Sequence, residues 1–335
     1  MITNAKTSGI KVDKKELKAL MRRNNQTGIW YLIGWFGLMA LSGTAVMVSY
    51  GTWLIVPALL AHSIFFAVPA YAFSHECAHG TAFRSRWLNE VVFWGTSFLY
   101  FEEPLHRRYA HASHHTHTWI EEEDAQMPYA EIPLTLWGWV EEVLGIGLYW
   151  HQTKMFFMHS IGVFSDEIRR VTPVSELPRM RRNTQKFLMV YLALAIVSIW
   201  SGWLWPVLII VLPRVIGGPI MNMFILMQHV EMAENQPNIV KSTRSFDTNW
   251  FGRFLYCNMN YHIEHHLYPT VPFHALPSLS KKLREQLPEP DPGFFRTNWE
   301  VLKVVARRTF GKNDRSKIIR QAPQNMGQST KGIAI

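Results

Sequence analysis

Three groups of histidines in this sequence have the spacing of metal ligands. They are His75-Glu76-Cys77-Ala78-His79, the run His111-Ala112-Ser113-His114-His115, and His262-Ile263-Glu264-His265-His266. Residues four apart share a helix face, so His75 and His79 point the same way on a helix. His111, His114 and His115 stand at i, i+3 and i+4, and His262, His265 and His266 repeat that pattern. Burying so many imidazoles without partners would cost several kcal/mol, so the eight are expected to bind metal. Zinc usually takes four ligands and a catalytic zinc keeps one position open. Eight nitrogens therefore suit two ions, with His229 as the candidate ninth ligand. His106 and His117 flank the second group but break its pattern and are expected to lie outside the metal shell. His62, His151, His159 and His274 are isolated and expected to be structural.

One subset admits another chemistry. His75, Glu76 and His79 satisfy the H-E-x-x-H pattern, in which two histidines hold zinc and the glutamate acts as base in a peptidase. A membrane zinc peptidase is thus the alternative enzyme, and a non-enzymatic metal-binding membrane protein the alternative without catalysis. The peptidase reading leaves six of the eight patterned histidines without a role. Under the two-ion reading, Glu76, Glu264 and Asn258 are candidates for orienting the ligands from behind. Cys77 and Cys257 are the chain's two cysteines. They exclude a disulfide framework and are expected to pack rather than bind metal.

The elements that position these residues read as membrane. The chain has 335 residues, 48% of them hydrophobic, with 14 Trp and 20 Phe. Mean hydropathy is near zero because long apolar blocks alternate with polar, His-rich stretches. Spans are expected at about 28–48, 53–73, 187–200 and 204–228, each near the roughly 20 residues that a bilayer requires. The fold class expected is all-α and integral to the membrane: four transmembrane helices in two hairpins, under a cytoplasmic helical cap that holds the metals. The segments 87–101 and 134–164 are too short or too amphipathic to span, and suit burial or the headgroup level. Residues 1–27, with Leu17, Leu20 and Met21 on one face and Lys14, Lys15, Lys18, Arg22 and Arg23 around them, read as a cytoplasmic interfacial helix. The membrane domain is expected over 28–310, with a disordered polar tail over 311–335.

Arg214 lies inside the fourth span, flanked by Pro213 and Pro219. An arginine there is costly unless paired or facing a cavity. It is expected to pair with a carboxylate or snorkel, with contact to a polar substrate head as the functional alternative. The net charge of +9 sits at the ends and in Arg169–Arg182, which fits an anionic cytoplasmic leaflet and not nucleic acid. If the N-terminus is cytoplasmic, two spans return the chain to that side before His79, and two more return it before His229. All three histidine groups then share one face with both termini, as in a bacterial inner-membrane protein.

The three groups, their order and this layout resemble the membrane fatty acid desaturase superfamily of three-histidine-box, di-iron desaturases and hydroxylases. The stretch Asn258-Met259-Asn260-Tyr261-His262-Ile263-Glu264-His265-His266-Leu267-Tyr268-Pro269 is similar to the family's third box. Gly80 after the first group, Thr118 after the second, and Ser242-Thr243-Arg244 upstream of the third carry the likeness further. The resemblance implies two iron ions held by the box histidines, O₂ as co-substrate, and oxidation of an unactivated C–H bond. It implies a fatty-acyl desaturase of lipid metabolism, or a hydroxylase (monooxygenase) of a lipid or small metabolite on the same scaffold. Fold alone does not choose between them. No haem-binding, Cys-rich or Gly-rich dinucleotide segment is present, so electrons are expected from a separate ferredoxin or cytochrome b5. Arg169–Arg182 and the basic C-terminal region are candidate docking surfaces for it.

Overall fold

A computed structural model describes residues 9–311. Beyond Gly311, the polar tail expected over 311–335 lies outside the described residues, as do residues 1–8. Among the described residues the chain is helical, with one isolated bridge, Phe246 to Asp291, and no strand. The helices are α1 (Lys14–Leu20), α2 (Gln26–Val48), α3 (Ile55–Ala78), α4 (Arg86–Tyr100) and α5 (Pro104–Thr116). There follow α6 (Leu136–Leu144), α7 (Ile146–Ser160), α8 (Asp166–Val171), α9 (Leu177–Ser201) and α10 (Leu212–Leu226). The last are α11 (Ile239–Ser242), α12 (Trp250–Leu255), α13 (His262–Leu267), α14 (Leu276–Leu283) and α15 (Phe294–Phe310).

Four segments are long and apolar enough to cross a membrane: 26–48, 55–78, 174–201 and 207–226. Their outward faces carry large apolar side chains, among them Leu41, Val48, Ile199 and Trp200, which lipid covers at no hydrophobic cost. The third of these helices begins earlier than the apolar run from Phe187 implies. Its first turns hold Arg179, Arg181, Arg182 and Lys186, so a polar helical extension leads into the apolar part. The short segment α4 stays outside the four, as its Asn89 and Glu90 require.

α3 is the central helix, packed between α2, α4 and α10. Two of its contacts repair backbone defects made by proline. Pro69 has no N–H to give the carbonyl of Phe65; the Trp35 indole of α2 donates to that oxygen at 2.8 Å. Pro213 likewise cannot serve the carbonyl of Ile209, which lies in a loosened turn over Val207–Val211. His62 Nε2 of α3 lies 3.1 Å from it and Nδ1 lies 2.8 Å from Ser42 Oγ. Inside a bilayer such carbonyls must find protein partners, and this gives His62 its structural role. Close approach of α3 and α10 depends on Gly217, where a Cβ would fall 2.1 Å from the Ser63 carbonyl oxygen.

Arg214 neither pairs with a carboxylate nor snorkels. It is buried, its Nε donates to the Tyr100 carbonyl at 2.9 Å and its Nη1 to the Tyr149 hydroxyl at 2.7 Å. Tyr100 is the last residue of α4, so the guanidinium caps that helix's negative end. The rings of Tyr100 and Tyr149 lie 4.7 and 4.9 Å from its Cζ. A carbonyl, a hydroxyl and two aromatic faces together stabilise the charge.

The polar cap is knitted from short helices. On α1, Leu17 and Leu20 pack against a cluster with Ile10, Ile263, Leu267 and Val271, and Glu16 meets Lys282 at 2.7 Å. The segment α15 lies against α6, and Arg308 reaches back to Glu231 with both nitrogens, at 2.7 and 2.5 Å.

Candidate metal centre

Local contacts fix each histidine-bearing element. α3 runs straight through His75 to His79, which caps its end. α5 opens with Pro104 in its first turn and with the Glu103 carboxylate accepting from the His106 N–H at 2.7 Å. α13 is only six residues long and is pinned by Ser245. That hydroxyl accepts from the Ile263 N–H at 3.0 Å and donates to Glu264 at 2.6 Å. The left-handed backbone of Cys257 and Asn258 turns the chain into it, and Asn258 Nδ2 donates to the Phe273 carbonyl at 3.1 Å.

These elements bring nine histidines into two adjacent groups. His75, His79, His111, His115 and His265 form one, and His114, His229, His262 and His266 the other, with the donor atoms of each within 4.8 Å of one another. The division follows helix geometry. In both i, i+3, i+4 patterns the i and i+4 rings enter one group and the i+3 ring the other. His111 and His115 join His265, while His262 and His266 join His114. His229, from just beyond α10, completes the second group. His106 and His117 belong to neither.

The nitrogen separations fit shared cations. In the first group Nε2 of His111 lies 2.9 Å from that of His79 and 3.1 Å from that of His115, which is 3.1 Å from that of His265. In the second, Nε2 of His262 is 3.1 Å from that of His229 and 3.0 Å from that of His266. Nitrogens at adjacent octahedral corners about 2.1 Å from one ion lie about 3.0 Å apart, against about 3.4 Å on a tetrahedron.

The opposite ring nitrogens show which atoms carry protons. His111 Nδ1 faces Gln126 Oε1 at 2.8 Å, His114 Nδ1 faces Asp124 Oδ2 at 2.8 Å, and His229 Nδ1 faces the Ser242 carbonyl at 2.9 Å. All three partners accept, so Nδ1 is the protonated atom and Nε2 offers a lone pair. Thr118 donates to the His114 carbonyl at 2.7 Å, and its oxygen faces His266 Nδ1 at 3.2 Å. The Gln228 amide meets His262 Nδ1 at 3.2 Å and the Tyr256 hydroxyl at 2.7 Å. Its Nε2 is the atom at both contacts and donates to the Tyr256 hydroxyl. Lone pairs directed at one another about 3 Å apart repel unless a cation sits among them. His75 Nε2, buried with no hydrogen-bond partner, points the same way. The residues fit a pair of metal ions.

Burial favours the neutral imidazole that ligation requires. It drives His79 and His229 down to about 3 and also lowers His111, His115, His262, His265 and His266. Asp124 moves the other way from its surroundings. Burial pushes its carboxyl up, but His114 and the N–H groups of Trp119 and Gln126 outweigh this and hold it below its ordinary value.

The acceptors behind the rings are not those expected from the motifs. Glu76 accepts from the Thr81 hydroxyl and from the Phe273 N–H at 3.2 Å, and Glu264 from the Ser245 hydroxyl, so neither carboxylate meets an imidazole. Asp124, Gln126 and Thr118 face the rings instead. Asp124 and Gln126 lie in the loop after α5, whose turn passes through left-handed Trp119 and Glu122. No periodicity marks that loop; an acid close after the second histidine group was the one available signal. Cys77 and Cys257 are buried, and neither enters a metal group.

A cavity of about 430 Å³ reaches the histidines, lined by His111, His114, His229 and His262. A second, of about 440 Å³ between α9 and α10, is walled by Phe98, Leu194, Val207, Ile210 and Val211, and touches none of the nine histidines.

Residues 51–298 match the family model described as Fatty acid desaturase. The chain is 24% identical over 239 residues to the Delta(5) fatty acid desaturase fat-4 of Caenorhabditis elegans, covering 63% of this chain and 53% of that protein. It is 24% identical over 236 residues to the Acyl-lipid (9-3)-desaturase of Physcomitrium patens, covering 63% of this chain and 44% of that protein. It thus spans about half the length of these curated relatives. With the family matched over most of its length, four apolar helices and two histidine groups, the chain belongs to the fatty acid desaturase family.

Proposed function

We propose that this protein is a non-haem di-iron, O₂-dependent desaturase, with a fatty-acyl chain as the substrate that its relatives' names put first. The observation that carries the reading is the division of nine imidazoles into groups of five and four, with nitrogens facing each other at 2.9–3.1 Å. The chemistry that two irons supply when bound is the activation of O₂ for removal of hydrogen from an unactivated carbon. In desaturation, two hydrogens leave adjacent carbons, a separate donor gives two electrons and solvent two protons, and O₂ ends as two waters.

The chain's own residues hold and shield that chemistry. Asp124, Gln126, Thr118 and the Ser242 carbonyl fix the tautomers of four rings, and burial favours the neutral imidazole. A ferredoxin or cytochrome b5 is the proposed donor, and the cytoplasm the proposed side for site and termini. The zinc-peptidase alternative loses ground because Glu76, its required base, is engaged by Thr81 and the Phe273 N–H.

A second reading, oxygen insertion into a lipid or small metabolite, is favoured by one feature. The cavity at the histidines is lined in part by Glu102, Arg107 and Glu142, which suit a polar group on the substrate. Product mass after turnover with O₂ separates the two readings. Loss of two hydrogens means desaturation, gain of one oxygen means hydroxylation, and no O₂-dependent product rules out both.

A further inference from the structure

The cavity that touches the metal-binding histidines and the cavity suited to an acyl tail are different spaces. The apolar one lies between α9 and α10 with Arg214 and Tyr149 at its wall. The other holds Tyr71, Tyr100, Glu102, Arg107, Trp119 and Glu142 beside His111, His114, His229 and His262. Arg214 lines the first and Tyr100 the second, and the bond from Arg214 Nε to the Tyr100 carbonyl joins their walls.

The polar groups of the metal-side cavity are poorly served by the protein. Glu102 is buried, yet its nearest partners are Arg107 Nη1 at 3.4 Å and His106 Nε2 at 3.9 Å. Trp119 Nε1 and His106 Nδ1, on side chains at least nine-tenths buried, have no hydrogen-bond partner. Trp119 also stacks on His229, with ring centroids 5.4 Å apart, which places its free N–H beside a metal-binding ring. Buried polar groups left unserved cost free energy unless a ligand completes them. Glu102 calls for a donor, and Trp119 for an oxygen.

We propose that the carbon oxidised here lies within a few bonds of a polar group, an amine or hydroxyl beside an oxygen, held by Glu102 and Trp119. Met127, Leu148, Ile225 and Leu226 on the same wall leave room for the apolar part of such a molecule. The inference rests on the two-metal reading and narrows its substrate to molecules oxidised next to a polar end. Such an end can belong to a soluble amino alcohol or to the headgroup of a lipid.

The test uses the full chain in nanodiscs, loaded with cobalt(II) and, as diamagnetic reference, zinc. The NMR probes are norleucinol, sphinganine, which carries a similar head on a long tail, and methyl palmitate. The expected result is that cobalt relaxes the protons of the carbons bearing nitrogen and oxygen faster than any other chain protons. Norleucinol responding alone assigns a soluble substrate; sphinganine alone assigns a lipid headgroup. Glu102→Gln is expected to weaken binding of the responding probe about tenfold, or about 1.4 kcal/mol, with metal content unchanged. Trp119→Phe provides an independent variant should Glu102→Gln fail to fold. Mid-chain protons of methyl palmitate relaxing fastest, with the amino-alcohol heads unaffected, would overturn the inference and leave the metal site standing. Failure to take up cobalt would instead overturn the metal reading itself.

Discussion

His265 and His266 are neighbours in sequence and serve different metal groups. His265 Nε2 lies 3.1 Å from that of His115, and His266 Nε2 lies 3.0 Å from that of His262. One turn of α13 thereby ties the two groups together. His265→Ala is expected to lose the metal of the five-histidine group and His266→Ala that of the four-histidine group, each keeping about half the bound metal. Metal analysis of both purified variants checks this. Retention of the full complement in either one contradicts it.

Asp124 holds His114 from behind, and such partners typically contribute 10–100-fold in metal affinity. Asp124→Asn keeps an acceptor but loses the charge, so a loss near the lower end of that range is expected. Asp124→Ala also leaves the Trp119 and Gln126 N–H groups without their acceptor and is expected to lose more. Competition with a chelator measures both. Equal affinity in wild type and Asp124→Ala would remove Asp124 from the site.

Pro69 and Trp35 form a testable pair in the membrane domain. Trp35→Phe leaves the Phe65 carbonyl without a donor, at a cost of about 1–3 kcal/mol. Pro69→Ala restores an N–H in the helix itself, so Trp35→Phe should cost less in that background. A double-mutant cycle on thermal or denaturant unfolding reads the coupling, and strictly additive effects would refute it.

The buried imidazoles set a direction for pH. His79 and His229 titrate at about 3 in the folded chain and near 6.5 when unfolded. Between those values the unfolded state binds more protons, so the metal-free protein loses stability as pH falls from about 6.5 toward 3. Above that window these groups contribute no pH dependence. Bound metal, which also requires neutral rings, should move the loss to lower pH. Melting temperatures of metal-free and metal-loaded protein across this range test it; a metal-free protein more stable at pH 4 than at pH 7 is the contrary result.

Arg169, Arg170, Arg179, Arg181 and Arg182 are exposed around α8 and the start of α9. If they dock an acidic electron donor, reduction should slow steeply as added salt shortens the screening length. Arg179→Glu with Arg182→Glu should slow it at low salt. A rate indifferent to both would leave these arginines to the lipid surface.

Much of this was legible in the sequence, and the residues show why. Long uncharged runs locate the spans because a bilayer demands them, and histidine spacing marks helix faces because α-helices repeat every 3.6 residues. His229 was reachable from its place at the end of the fourth apolar run. The division of His114 from His111 and His115 was not, since it depends on where α3 and α13 dock. Arg214 was misread because its partners, the Tyr100 carbonyl and the Tyr149 hydroxyl, leave no charge signal. Asp124 and Gln126 were missed because loops carry no period, and Glu76 was overvalued because a motif does not reveal that Thr81 and Phe273 already hold its carboxylate.

The central claim is that two groups of histidines hold two iron ions in one chain. Elemental analysis of the purified full-length protein, scaled to protein concentration, addresses it most directly. The account predicts about two irons per chain. A single zinc per chain, with no iron, would contradict it.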